Sequence, residues 1–449
     1  MSAVPQTYRY AHPSFVSDGA RPRLTLSTAA PDAGAPPRFF EGRMLAPRLV
    51  AELLTAVHLV VGSRFFTPAN TVAKTIALAD PVVTSGGGLL RFEGFSSCCS
   101  TYVRADVLPA AYDGQVIAKG TTNVDFNAPM RAALARVRDE AGLELAVGPD
   151  ELTLRSGSAE VTERQVELPT RWIRGMVEVQ SCQAAMRRRF EVSASAALRF
   201  LRTLPRASTS RTPLWIVPGP AGLFATTRAA ANGVRVTGTR RLRVLEALLP
   251  RARSLAVFAD DAQQASAWVL DFGDARLTLA LSPEVWRGFS GEGQALRALL
   301  HASTRSAGAL ARVRSVLQWQ PRLDAATLAD ELALDVGEVE DTLRVLGACG
   351  LAGFDVAEGR YFHRVLPFDL SDVEDMHPRL AAARELIDGG AVSIVKASPF
   401  EATVRSGDVA HRVREKAGEL HCTCPWFAAH QGQRGPCKHV LAAEASRGA

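Results

Sequence analysis

The sequence predicts a multidomain α+β protein, and three observations carry that prediction. A helical run followed by extended runs around a tight turn recurs between residues 127 and 274. Two capped helices and a hairpin pattern follow from 324 to 365, and cysteine and histidine concentrate near the carboxy-terminal end. With 449 residues, 47% apolar and 22% charged, the chain has material for several cores, and neither wholesale disorder nor a rod fits. No apolar stretch reaches the roughly 20 residues of a membrane-spanning helix. Met1-Ser2-Ala3-Val4-Pro5 lacks the basic and apolar regions of a signal peptide, so a cytoplasmic location without a membrane partner is expected.

Residues 1–38 mix Pro, Gly, Ala, Ser and Asp and read as a flexible arm, after which an Arg-rich α+β domain is expected over 39–285. Leu49 to Val61 has apolar residues at helical spacing, and Leu89 to Phe95 and Ser100 to Val107 read as strands. The first helix-plus-hairpin unit has a helix from Asn127 to Val137, capped by Asn127 with Pro129 in its first turn. Strands Leu143 to Val147 and Leu152 to Arg155 follow, around Gly148-Pro149-Asp150. A second unit has a helix from Ser193 through Leu201 and strands Leu214 to Val217 and Leu223 to Thr227. A third has a helix from Arg241 to Leu249, a strand from Leu255 to Ala259 and a hairpin around Phe272-Gly273-Asp274. This order resembles the repeated half-domain of DNA sliding clamps, and the resemblance implies a clamp-like architecture for the region.

Pro283, Gly288, Gly291 and Gly293 interrupt the periodicity, and a new unit is expected over 294–367. Asp324 can cap a helix that buries Leu328 and Leu332. Asp335 with Glu338 forms a capping box for a second helix carrying Val339, Leu343 and Leu346 on one side. Phe354 to Val356 and Tyr361 to Val365 supply a hairpin, and the whole resembles a winged helix-turn-helix. A DNA-reading second helix needs cations or amides on its exposed amino-terminal face. Here that face offers Glu338, Glu340 and Asp341, with Arg344 the only cation, so a protein-contact or scaffold element is expected.

The last unit, 376–449, opens with a helix from Arg379 to Ile387 that Gly389-Gly390 breaks. Strand patterns follow at Val392 to Lys396, Phe400 to Arg405 and Ala410 to Glu415. Then come Cys422-Thr423-Cys424 and, twelve residues later, Cys437-Lys438-His439. Seven cysteines without secretory spacing argue for reduced thiols rather than a disulfide framework. Two short pairs, each presented by one bend of backbone, meet the tetrahedral demand of zinc with a single loop closure. Pro425 and Gly435-Pro436 bound that loop, and Val440-Leu441-Ala442-Ala443 leads out as a helix. Cys422, Cys424, Cys437 and His439 are therefore the expected ligands of one structural Zn2+ in a small ββ-zinc-α finger. His421 and His430 fall outside the two-pair pattern and are expected to be exposed or to support the ligands from behind.

The Cys422-x-Cys424, Cys437-x-His439 pattern, Pro425 and the Cys437-Lys438-His439-Val440-Leu441 helix start together resemble a SWIM-type zinc finger over roughly residues 391–447. The resemblance implies binding to DNA or protein and does not imply catalysis. Bacterial proteins with such fingers are often encoded beside MoxR-type AAA+ ATPases and von Willebrand A proteins, which suggests a partner of that kind.

Charge points to a second partner class. Arg171 to Asp260 holds sixteen Arg, no Lys and four acids, densest at Arg187-Arg188-Arg189 and at Arg240-Arg241-x-Arg243. Such a cluster suits phosphates or an anionic protein, and these six arginines are the candidate anionic-partner site. No GxxxxGK[ST], HExxH or GxSxG motif occurs, so no enzyme activity and no small-molecule substrate are expected. The sequence thus reads as a non-catalytic zinc-binding adaptor that contacts protein through its finger; the alternative is a DNA-binding factor using the Arg-rich face and the finger.

Overall fold

The computed structural model describes residues 15–17, 23–25, 38–66, 81–124, 126–166, 168–205, 211–220, 222–262, 265–302, 307–317, 320, 322–366 and 377–447. The arm expected over 1–38 lies outside these except for the antiparallel pair Phe15–Ser17 and Arg23–Thr25 and residue 38.

The body is built on an antiparallel eight-stranded sheet. Its order is Arg187–Ser193, Ser254–Ala259, Ser266–Asp271, Ala275–Leu281, Thr101–Val107, Leu89–Phe95, Val82–Gly86 and Gly120–Asn123. A five-stranded sheet, ordered Ala159–Arg164, Glu151–Ser156, Glu144–Val147, Phe40–Met44 and Tyr112–Val116, stands beside it. The expected helices form where capping and apolar spacing put them. Pro47–Val61 starts on a proline and buries Leu49, Val50, Leu53, Leu54, Val57 and Val60. Asn127 Oδ1 accepts from the Met130 amide at 3.1 Å to open Ala128–Arg136, and Ser193 does the same from Ala196 for Ala194–Thr203. The third expected helix is instead a 3-10 segment, Thr239–Leu245, entered through Gly238 at φ +56°.

The two central strands show why the next unit sits where it does. Leu89–Phe95 and Thr101–Val107 are buried along their whole length, although every second side chain is polar. Strand alternation puts Leu90, Phe92, Val103 and Ala105 on one face and Arg91, Glu93, Tyr102, Arg104 and Asp106 on the other, in cross-strand register. The polar face is closed by the hairpin Ala352–Asp355 and Arg360–His363. Asp355 lies 2.9 Å from Arg104, 3.2 Å from Arg276 and 3.8 Å from Arg91, and Arg364 Nη1 donates to Glu93 at 2.8 Å. Phe362 lies under the Arg91 guanidinium, 4.1 Å from ring centre to carbon. Burial alone would raise the Asp355 carboxyl, but Arg104, Arg276 and Arg91 hold it well below the usual carboxylate range.

Within 294–366 the helices Ala325–Leu332 and Val336–Ala348 precede that hairpin, as the sequence predicts. Asp324 caps the first by accepting from the Thr327 amide at 3.0 Å, and Asp335 accepts from the Gly337 and Glu338 amides. Leu323 bridges to Tyr361, tying the entry of the helix pair to the hairpin. Arg344, the one cation of the exposed face, reaches Asp341 at 2.5 Å and Glu340 at 3.2 Å.

No helix among the described residues is long and apolar enough to cross a membrane. Removing one partner from a buried charge cluster leaves the others uncompensated. Asp355→Asn is therefore expected to destabilise the chain by about 3 kcal/mol, read as a lower urea midpoint. An unchanged midpoint would show that the hairpin docks by packing alone.

Candidate metal centre

The finger begins as an antiparallel four-stranded sheet, Val392–Lys396, Glu401–Ser406, Val409–Lys416 and Glu419–Cys422. Three of these strands follow the sequence pattern. The fourth is short and carries the first ligand at its end, so its polar residues gave no alternation to read. Cys424 caps a six-residue helix, Pro425–His430, where the sequence reading expected only a turn. Cys437 immediately precedes the helix Lys438–Arg447, and His439 lies on its first turn.

These elements bring the expected residues together. Ligand atoms of Cys422, Cys424, Cys437 and His439 all lie within 4.8 Å of one another, and all four residues are buried. His439 Nδ1 sits 3.8 Å from Cys422 Sγ. His439 Nε2 is buried without a hydrogen-bond partner among the described residues, and the ring packs at a tilt against His411 with centroids 4.2 Å apart. Each sulfur accepts a main-chain amide: Cys424 donates to Cys422 Sγ at 3.4 Å, Phe427 to Cys424 Sγ at 3.3 Å, and Val440 to Cys437 Sγ at 3.4 Å. Hydrogen bonding with Cys422 lowers the Cys437 thiol against its burial, and the same bond raises Cys422. Amides aimed at sulfur favour thiolate, the form that binds metal. Three soft sulfurs and an imidazole in a closed pocket fit one tetrahedral Zn2+, which would cross-link the two ends of the loop and contribute on the order of 10 kcal/mol of folding free energy. His421 and His430 stay outside the cluster, packed edge-on against Phe427 and Trp426.

The ligand loop is seated against the body, a feature the sequence reading missed. Arg379 Nη1 donates to the carbonyls of Arg434 (2.7 Å) and Pro436 (3.1 Å), and its Nη2 donates to the main-chain carbonyl of Glu292 (2.7 Å). The same guanidinium lies 4.9 Å from the Trp426 ring centre. Arg434 returns a bond to the Gly291 carbonyl at 2.9 Å. Gly435, at φ +74°, comes so close to Gly293 that a Cβ would meet its carbonyl oxygen at 2.1 Å. Behind this seam Glu178 accepts from the amides of Gln294 (2.8 Å) and Ala295 (3.4 Å). Burial, then the like charge of Glu292, pushes the Glu178 carboxyl up to about 8. No motif marks Arg379 or Glu178, because their partners are main-chain groups distant in sequence.

The six candidate arginines do not form one surface. Arg241 is buried, donating to the carbonyls of Ser100 (2.6 Å), Thr237 (2.8 Å) and Ser282 (3.1 Å), so its proposed contact with an anionic partner is corrected: it ties loops together. Arg243 pairs with Glu246 at 2.6 Å and donates to the Leu204 carbonyl. Arg187, Arg188 and Arg189 lie on the edge strand Arg187–Ser193, where Arg188 pairs with Glu191 (2.9 Å) and Arg189 with Asp261 (2.8 Å). Arg187 and Arg240 are exposed, and Arg240 stands 5.6 Å from the Phe65 ring centre.

Two outcomes test the seam. Cys437→Ser is expected to lose stoichiometric zinc by elemental analysis. Arg379→Ala should keep the metal but surrender it to a chelator roughly 10-fold faster; unchanged release would remove Arg379 from the account. Glu178 gives a pH signature. Its folded value lies above the ordinary 4.5, so the folded chain keeps a proton that the unfolded chain releases, and stability declines as pH rises from about 4.5 to about 8. Glu178→Gln should flatten that decline in parallel urea titrations; a slope equal to wild type would contradict the assignment.

Residues 406–448 match the family model described as SWIM zinc finger. Comparison with curated proteins gives no match. Among solved structures the chain is similar to proliferating cellular nuclear antigen from Entamoeba histolytica, at TM-score 0.37 and 11% identity over 55% of this chain and 99% of that one. It is also similar to a DnaN sliding clamp (DNA polymerase III subunit beta) from Bartonella birtlesii bound to griselimycin, at TM-score 0.34 and 14% identity over 54% of this chain and 65% of that one. Likenesses this remote assign nothing to the helix-plus-hairpin region. At the carboxy-terminal end, ligand spacing, the geometry of four buried donors and the family match agree: this chain carries a SWIM zinc finger with a site for one structural Zn2+.

Proposed function

We propose that the protein is a non-catalytic, zinc-dependent adaptor whose finger contacts a protein partner. The observation that carries this reading is the closed ligand set: three cysteines and a histidine, all buried, fill a tetrahedral ion and leave no position for water or substrate. The ion's role is then to fix a shape, and the Arg379 seam transmits that shape to the body. The winged-helix reading of 294–367 supports contact with protein, since Arg344 is held by Glu340 and Asp341 and that helix face stays acidic. A MoxR-type AAA+ ATPase with a von Willebrand A protein is the partner class that the finger's resemblance suggests.

One observation favours the DNA-binding alternative. The helices Pro47–Val61, Ala128–Arg136 and Ala194–Thr203 carry exposed Arg48, Arg131, Arg136, Arg199 and Arg202, of which Arg48 pairs with Glu52 at 3.0 Å and Arg202 lies 3.9 Å from Glu246. The two readings part in a salt titration of duplex binding. A DNA-binding face predicts a slope of log K on log salt of about −0.9 per phosphate contact, flattened when Arg131, Arg136, Arg199 and Arg202 become Ala.

The adaptor reading predicts weak duplex binding that those changes leave alone. It also predicts cross-linked protein partners that are captured by the zinc-loaded chain and lost with Cys437→Ser. Partner capture indifferent to Cys437→Ser would remove the metal from the function.

A further inference from the structure

Among the described residues, the finger leaves one sheet edge without a pairing strand. Val392–Lys396 is the first strand of the four-stranded sheet and pairs only with Glu401–Ser406 among the described residues. The Arg405 amide donates to the Ala391 carbonyl at 2.9 Å, which makes Ala391 and Arg405 a hydrogen-bonded pair. Antiparallel bonding alternates, so Ser393 also faces Thr403, while the main-chain groups of Val392 and Ile394 point outward along the free edge. Ile394 and Val395 are 49% and 62% exposed. Sheet edges are ordinarily blunted by charge, proline, a bulge or a covering element, because they template another strand; here a register shift between Ile394 and Lys396 ends the regular edge, which runs from Val392 to Ile394.

The two faces beside this edge differ. Val392 and Ile394 share their face with buried Val404 and Ala402, against which the helix Lys438–Arg447 packs. The opposite face carries Lys396, Arg405, Arg412, Arg414 and Lys416 against Glu401 and Glu419. Glu401 is shared by Arg412 and Arg414 at 3.2 Å each, and the remaining cations keep that face positive. A second copy joined edge to edge would set two such positive faces side by side.

From this geometry we infer that the edge Val392–Lys396 takes an extended segment of the protein partner as a fifth strand, with apolar and acidic residues alternating along it. The segment's apolar side chains lie beside Ile394 on the helix-covered face, and its carboxylates lie on the other, within reach of Lys396 and Arg405. Main-chain bonds to Val392 and Ile394 supply affinity, and the alternation supplies selectivity. This inference rests on the adaptor reading and specifies its contact.

The test uses the zinc-loaded full-length chain and a fluorescent peptide of alternating valine and glutamate, with a valine and lysine peptide as control. Saturable anisotropy is expected for the acidic peptide, with binding at least ~10-fold weaker for the basic one. Ile394→Pro removes an outward amide, at a position where an edge strand tolerates proline, and Ile394→Ala, which keeps the amide, separates that loss from the loss of the side chain. The proline variant should weaken the acidic peptide by about 10-fold while zinc content and circular dichroism stay at wild type.

If that variant disturbs the fold, protection of the Val392 and Ile394 amides from hydrogen exchange by the peptide, in the wild-type chain, decides instead. Four results would overturn the inference: no saturable binding, equal binding of both peptides, dimerisation in sedimentation that Ile394→Pro abolishes, or duplex DNA binding that it abolishes. Peptide failure alongside zinc-dependent partner capture would reject the edge contact and leave the adaptor reading standing.

Discussion

Three sulfurs and one imidazole within 4.8 Å of one another are the constraint on which the carboxy-terminal finger of this molecule depends. The finger has a sheet, two helices and a modest apolar core, with Ala402, Val404, Val413, Phe427, Leu441 and Ala442 buried between them. That core alone is small for the number of residues it orders, and a metal cross-link closes the loop between the two ligand pairs. Its reach extends beyond the loop. The carbonyls of Arg434 and Pro436, fixed next to Cys437, are the acceptors for Arg379, and Arg379 also holds Glu292 of the body. Metal, loop and body thus form one mechanical path.

The same logic of buried charge recurs at the other seam. The hairpin Ala352–Asp355 and Arg360–His363 covers a sheet face on which Arg91, Glu93, Arg104 and Asp106 would otherwise meet water. Such clusters add little net stability over an apolar contact, but they penalise any docking that leaves a charge unpaired. Both appended units are consequently held to the body by contacts that tolerate little displacement.

What the sequence made legible follows from the range of each interaction. The ligands were readable because two pairs of two residues, bounded by proline and glycine, are a local signal. Caps at Asn127, Asp324 and Asp335 were readable for the same reason. Leu89–Phe95 was readable as a strand, yet its alternation of apolar and charged residues ordinarily marks a solvated face, and here that face is buried. Arg241 misled in the opposite direction: a dense run of arginine says nothing about which guanidinium turns inward to carbonyls. Arg379, Glu178 and Asp355 act through groups far away in sequence, so only the fold reveals them. The family match begins at residue 406, inside the sheet, whereas the structural unit reaches back through Val392–Lys396 to the helix Pro378–Asp388 that carries Arg379.

The claim on which the account turns is that one zinc ion sits among Cys422, Cys424, Cys437 and His439. X-ray absorption at the zinc edge on the purified full-length chain tests it most directly. The account predicts one zinc per chain with a first shell of three sulfurs at about 2.3 Å and one nitrogen at about 2.0 Å. A shell of oxygens, or zinc well below stoichiometry in protein purified without chelator, would contradict it.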